Sequence, residues 1–291
     1  MATGNSTDFS AADAAAFDFK LYRYDLSLPA AATATTVFSI LSLLHIWRLL
    51  RHRAFYFTAF TIGGFFQVIG YAARIWSHFD PLSVIAFSLQ AIFILVAPAL
   101  YAASIYMILG RLIRTLRSEH LSIVPVKWMT KLFVIGDVVS FVLQGGGGGI
   151  QAAGTLELYE IGEKVIIVGL FVQITIFSFF MVTAVAFHRR QTRKSQGAAA
   201  GVPWKRHLCV LYVVSVIILI RSIFRVVEYL QGNGGYLISH EIFLYMFDAV
   251  LMAAVMAIFL IYYVDDLDSP NGGKRESGME MLSSSGTDTI A

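Results

Sequence analysis

The sequence is short of charge and almost devoid of cysteine. Of its 291 residues, 14% are Asp, Glu, Lys or Arg and 57% are hydrophobic. A water-soluble domain carries about 25% charged residues, so lipid rather than water is the solvent to reason with. The single cysteine, Cys209, excludes an intrachain disulfide and a cysteine-based metal cluster. The seven histidines are scattered, and there is no HExxH and no GxxxxGK[ST]. Nothing therefore signals metal-assisted hydrolysis or nucleotide-driven pumping. No defensible Ser/His/Asp spacing exists either, so no enzyme activity is expected and no cofactor is called for. The last apolar stretch has no lysine, which excludes a retinal Schiff base. Residues 1–20 lack a basic start and an early apolar run, so no secretory signal is read there. A net charge of +3 gives no reason to expect a nucleic-acid partner.

Long apolar runs are what the sequence has. Seven stand near 29–48, 55–76, 84–109, 128–148, 162–187, 205–229 and 240–263. Each approaches or exceeds the roughly 20 residues needed to cross about 30 Å of hydrocarbon. Lipid offers no partner to open backbone groups, so each run is expected to be a helix. The fold class expected is all-α membrane: a seven-transmembrane-helix bundle over 29–263. An extracellular segment, 1–28, precedes it, and a disordered cytoplasmic tail rich in Ser, Gly and acid, 264–291, follows.

Orientation follows from the basic residues of the short loops. Arg48, Arg51 and Arg53 lie in the first loop; Arg111, Arg114, Arg117, Lys127 and Lys131 in the third; Arg189, Arg190, Arg193, Lys194, Lys205 and Arg206 in the fifth. The even loops are nearly free of them. The bias puts the N-terminus outside and the C-terminus in the cytoplasm. Asn5-Ser6-Thr7 is a glycosylation sequon on the outer side, in agreement with that orientation.

Ionisable residues inside such runs are expensive and face the bundle interior. Arg221, Arg225 and Glu228 are spaced i, i+4, i+7 in the sixth run, and Glu241, Tyr245 and Asp248 repeat that spacing in the seventh. Each set shares one helical face. A short Gly-rich turn, QGNGG, makes the two helices antiparallel neighbours. By helical rise, Arg221 and Asp248 each lie about 12 Å below the outer end. Arg225 lies within reach of Glu228 or Glu241. These groups either line a polar site, clamp two helices together or, for Glu228 and Glu241, snorkel to the interface. In the fourth run Asp137, Ser140 and Gln144 share a face, and Asp137 is either a site residue or an interhelical hydrogen-bond partner. The run QGGGGG, 144–149, is costly in a helix. It is expected either to unwind beside a cavity or to form an outer loop. In the second run Gln67, Gly70 and Arg74 lie on one side, and Gly70 reads as a packing position. Gln173 and Gly169 in the fifth run also read as packing. Pro98 in the third is expected to kink its helix.

Five motifs carry a resemblance: GYAAR, LVAPALYAASIYMILGRLI, FVIGDVVSFVLQGGGGG, GLFVQ and RSIFRVVEYLQGNGGYLISHEIFLYMFD. Together, over about residues 20–265, they resemble the fungal RTA-like proteins, also called the lipid-translocating exporter family. The resemblance implies seven spans, an outside N-terminus and a plasma-membrane location. It also implies movement of, or resistance to, amphiphiles: sphingoid bases, sterol-like drugs or porphyrins. Arg74, Asp137, Gln144, Arg221, Arg225, Glu228, Glu241 and Asp248 match positions the family carries, and together they form the expected substrate-binding set. Gln67 stands where the family usually has glutamate. YDLSLPAAAT departs from the usual entry to the first span, with Leu26 in a proline place. The partners implied are membrane lipids or amphiphilic small molecules. A seven-helix sensor of lipid asymmetry is the alternative.

Overall fold

The computed structural model describes residues 26–52, 57–151, 156–194, 204–232, 235–237 and 239–262. The N-terminal segment with Asn5, the C-terminal tail and Arg53 lie outside the described residues. Among the described residues all regular structure is helical. The long helices, in chain order, are α1 (Leu28–His52), α2 (Thr58–Phe79), α3 (Val84–Thr115), α4 (Val126–Gln151), α5 (Leu156–Lys194), α6 (Trp204–Leu230) and α7 (Glu241–Ile261). One stretch of α7, Tyr245–Val250, is wound as a π-helix.

Five of these helices, α1, α3, α5, α6 and α7, are long and apolar enough to cross a membrane. The other two span 22 and 26 residues, but polar groups dilute them. Gln67 and Arg74 interrupt α2, while Lys127, Lys131, Asp137 and a glycine run interrupt α4. The bundle is apolar outside and polar within. Leu43, Trp47, Ile135, Val142, Val168 and Phe171 are exposed, whereas Arg74, Asp137, Arg221 and Asp248 are buried. A soluble protein would reverse that order.

Helices adjacent in sequence pack against each other, α4 with α5 most extensively, and α7 closes the bundle against α1 and α6. At what is here called the upper end, the starts of α1 and α7 and the finish of α2 meet. Ser27 donates its backbone N–H to Glu241 Oε2 at 2.9 Å, and His78 Nδ1 lies 2.6 Å from the Leu26 carbonyl. At the lower end α1 holds α7 again. His45 Nε2 is 3.0 Å from the Met256 carbonyl, and Arg48 donates to the Leu260 carbonyl.

The glycine run corrects the sequence expectation. Residues 145–149 neither unwind nor form a loop; they continue α4 to Gln151. The physical reason is that apolar surroundings leave the backbone no better partner than its own helix. Only Gly147 of the five faces a neighbour: a Cβ there would stand 2.7 Å from the Gly162 carbonyl oxygen. A Cβ on Gly162 would stand 2.5 Å from the Gly147 carbonyl oxygen. The pair lets two backbones touch, as small residues do between membrane helices. Gly169 packs against α4, and Gly70 against Ile94, as their spacing suggested. Pro98 sits inside the continuous 32-residue α3.

Candidate functional site

The upper third of the bundle holds three ion pairs. Arg221 on α6 meets Asp248 on α7 through two contacts, Nε to Oδ1 at 2.5 Å and Nη2 to Oδ2 at 3.3 Å. Its Nη2 also donates to the Ile94 carbonyl of α3 at 3.2 Å. Both side chains are about 1% exposed. Equal depth on antiparallel helices brings them together, as the spacing suggested. Arg74, near the finish of α2, donates from Nη2 to Glu241 Oε1 at 2.8 Å and from Nε to the Tyr245 hydroxyl at 3.0 Å. Its guanidinium also lies over the Tyr245 ring, 5.4 Å from the centroid. Arg225 donates from Nη1 to Glu228 Oε2 at 2.8 Å, one turn along the same helix.

The sequence left Arg225 a choice between Glu228 and Glu241. The structure gives it Glu228, because Glu241 is engaged by Arg74 and by the Ser27 N–H. Neither Glu228 nor Glu241 is an exposed, snorkelling group. Sequence reasoning missed Tyr245 as a partner of Arg74, and it missed Ser27. Tyr245 carried a signal in its i+4 spacing from Glu241. Ser27 carried none, because a backbone donor leaves no mark in side-chain pattern. Tyr245 and Asp248 both lie in the π-helical turn of α7. Such turns widen the helix locally and recur at functional sites.

A second polar group sits between α4 and α5. Ser140 donates to the Gly169 carbonyl at 2.7 Å. Gln144 Nε2 reaches Ser140 Oγ at 2.7 Å and Gln173 Oε1 at 3.1 Å. Gly169, lacking a side chain, allows this approach. Gln173, read from sequence as packing, is also a hydrogen-bond acceptor.

Asp137 stands apart from both groups. It lies on α4, two turns from Gln144 and about 21 Å from the upper end of that helix by helical rise. It is 6% exposed, and its Oδ2 has no hydrogen-bond partner among the described residues. The Tyr106 hydroxyl of α3 approaches the carboxylate, without the geometry of a normal hydrogen bond. No basic side chain pairs with Asp137 among the described residues, whereas Glu228, Glu241 and Asp248 each hold an arginine. The eight residues singled out from sequence thus divide into three ion pairs, one amide network and one lone acid. No group of three or more His, Cys, Asp or Glu able to hold a metal ion occurs among the described residues.

Paired charge and one lone acid thus lie inside an apolar shell. Comparison with known proteins decides its kinship. The model of the RTA1-like proteins matches residues 60–267. The chain belongs to the RTA1-like family. Among its relatives in Saccharomyces cerevisiae, Protein RTM1 is 39% identical over 207 residues, 68% of this chain and 64% of that one. Protoporphyrin uptake protein 1 is 39% identical over 71% of this chain and 68% of its own length. The sphingoid long-chain base transporter RSB1 is 25% identical over 79% of this chain and 70% of its own. The match to RTM1 thus spans a little under two thirds of that relative. No solved structure matches the chain. Family membership and five membrane-length apolar helices make this RTA1-like protein a multi-pass integral membrane protein.

Proposed function

We propose that this protein moves amphiphilic, lipid-like molecules across or out of a fungal plasma membrane. In this reading all seven long helices span the bilayer, with the N-terminus outside and the basic lower end in the cytoplasm. The upper ion pairs then lie towards the outer leaflet. The observation that carries the reading is Asp137: a buried carboxylate at mid-depth with no basic partner among the described residues. An ionised acid there is costly unless a cation joins it. A long-chain base supplies that cation as its ammonium, and its tail remains in hydrocarbon. The relatives named for sphingoid long-chain base transport and for protoporphyrin uptake support the substrate class.

The three ion pairs have a different role. In this reading two of them hold helices together rather than substrate, while Arg225–Glu228 lies within α6. Arg74–Glu241 and Arg221–Asp248 fasten α7 to α2 and α6 at the upper end. In this reading the bundle is tied shut on the outer side by these contacts, and they must part for a head group to leave that way. No nucleotide or cofactor is needed for the binding step itself.

Reconstitution in liposomes tests the reading. A fluorescent sphingoid base should cross vesicles holding the protein faster than empty vesicles. Asp137→Asn should bring the rate back towards the empty value, in protein inserted to the same level. Equal rates in filled and empty vesicles would overturn the proposal. Chemically altered lipid recovered from the vesicles would point to an enzyme instead.

A further inference from the structure

Three buried side chains beneath the ion pairs are unaccounted for. Gln67 of α2 is 0% exposed, and neither its Nε2 nor its Oε1 has a hydrogen-bond partner among the described residues. Ser42 Oγ of α1 and the Tyr71 hydroxyl of α2 are buried in the same condition. Helical spacing sets them close to one another. Gly64, Gln67 and Tyr71 follow each other at i, i+3 and i+7 on one face of α2. Ser42 Oγ would stand 2.6 Å from a Cβ on Gly64, and the Met256 methyl of α7 at 2.8 Å. One turn higher, Tyr71 stacks on Phe38 of α1, with ring centroids 5.3 Å apart. On its other side Tyr71 meets the Tyr245 ring, at 6.0 Å. Gln67 therefore lies between the level of Ser42 and that of Tyr71, where α1, α2 and α7 converge.

Ion pairs and aromatic rings bound this region above and below. Above it stand Arg74–Glu241 and Arg221–Asp248. Below it His45, Phe57, Phe60, Tyr101 and Phe259 form a continuous aromatic cluster, with Phe60 centroids 4.6 Å from Tyr101 and 5.1 Å from Phe259. A buried amide without partners is costly, and the cost rises where no bulk water is near. Three such groups, with four unpartnered polar atoms between them, set close by their helical positions, suit a site better than a packing accident. Their chemistry is neutral and two-sided: the amide donates and accepts, and so do both hydroxyls. A cation or anion would find no counter-charge among these three groups. A hydroxyl, which both donates and accepts, satisfies them all. Ordered buried water characteristically bridges about three such groups.

We propose that Ser42, Gln67 and Tyr71 form an internal site for a hydroxylic ligand, filled by ordered water at rest and by the hydroxyl of an amphiphile when one enters. The second half rests on the transport reading above; the first does not. It also separates two tasks within the bundle. Asp137 takes the charge of a head group, and the Gln67 site takes its neutral polar part.

Hydroxyl-radical footprinting of the purified full-length chain in detergent tests it, since bound water delivers radicals to residues closed to bulk solvent. Without added amphiphile, Tyr71 and Met256 should be labelled despite their burial. Gln67→Leu should cut Tyr71 labelling at least fivefold and leave Tyr106 unchanged. Ser42→Ala should cut it by a smaller factor, and serves as the second variant if Gln67→Leu does not fold. Background labelling of Tyr71 in the unaltered chain, or equal labelling in every variant, overturns the site. A long-chain amino alcohol should then protect Tyr71. Protection assigns the occupant to the amphiphile's hydroxyl; unchanged labelling confines it to water and overturns the second half. Labelling that responds to Gln67→Leu would stand even if the liposomes showed no transport.

Discussion

Arg221 and Asp248 are joined by two contacts between guanidinium and carboxylate, and Nη2 of Arg221 also donates to the Ile94 carbonyl. Three helices meet in that one contact. Removing one member strands a buried charge, which costs about 3–5 kcal/mol in soluble proteins. Removing both strands none.

Asp248→Ala and Arg221→Ala should therefore each lower the thermal unfolding temperature of purified protein sharply. The double variant should be no less stable than the worse single variant. Purified variants in one detergent, followed by intrinsic fluorescence, would measure this. Additive losses would show that the two residues act independently, against the geometry.

The glycines at the upper end of α4 and the start of α5 should divide into two kinds. Gly147→Ala and Gly162→Ala place a Cβ within 2.7 and 2.5 Å of a carbonyl oxygen across the helix pair. Backbone cannot step aside as a side chain can, so each should destabilise by about 1–3 kcal/mol. Gly145, Gly146, Gly148 and Gly149 meet nothing within 4 Å. Alanine there should be neutral or stabilise by about 0.5–1 kcal/mol through helix propensity. Denaturation in mixed micelles would compare the six variants. Equal effects at Gly146 and Gly147 would contradict the close approach.

Asp137 should discriminate by substrate charge. Asp137→Asn keeps the shape and removes the negative charge. Transport of a cationic amphiphile should fall at least about tenfold, which corresponds to about 1.4 kcal/mol. Transport of an anionic or neutral amphiphile should change far less. The measurement is a paired vesicle assay with one probe of each charge, at matched protein level. A loss common to all probes would assign Asp137 to structure.

Sequence revealed most where depth alone decided the outcome. The helices near 84–109 and 205–229 were legible as unbroken apolar runs. Arg221 and Asp248 were legible as partners because both sit at the same height on antiparallel neighbours. Arg74 and Glu241 were not legible as a pair. They lie 167 positions apart, and no local spacing shows that α7 returns to α2. The fate of QGGGGG was misjudged because helix propensities describe chains in water, where exposed backbone has another partner. Within α4 it has none. Tyr106 gave no signal beside Asp137, since one tyrosine among 13 in an apolar run looks like any packing residue. The orphaned amide of Gln67 needed the positions of its neighbours to be noticed at all.

Glu241 joins three helices at the upper end, through Arg74 of α2 and the Ser27 N–H at the start of α1. If those contacts close the bundle from above, weakening them should open it. Glu241→Gln keeps the shape but removes the charge that holds Arg74. The probe position is Met252, fully buried and one turn below Asp248 on α7. With the exposed Cys209 replaced by serine, Met252→Cys provides a single thiol. In sealed vesicles that thiol should react slowly with a membrane-impermeant reagent while Glu241 is intact. Adding Glu241→Gln should raise the rate about tenfold, the effect of shifting a closed–open balance by about 1.4 kcal/mol. The reagent should act from one side of the membrane only, the side of the upper end. Equal rates with and without Glu241→Gln would leave the ion pair as a structural tie and place the way out elsewhere in the bundle.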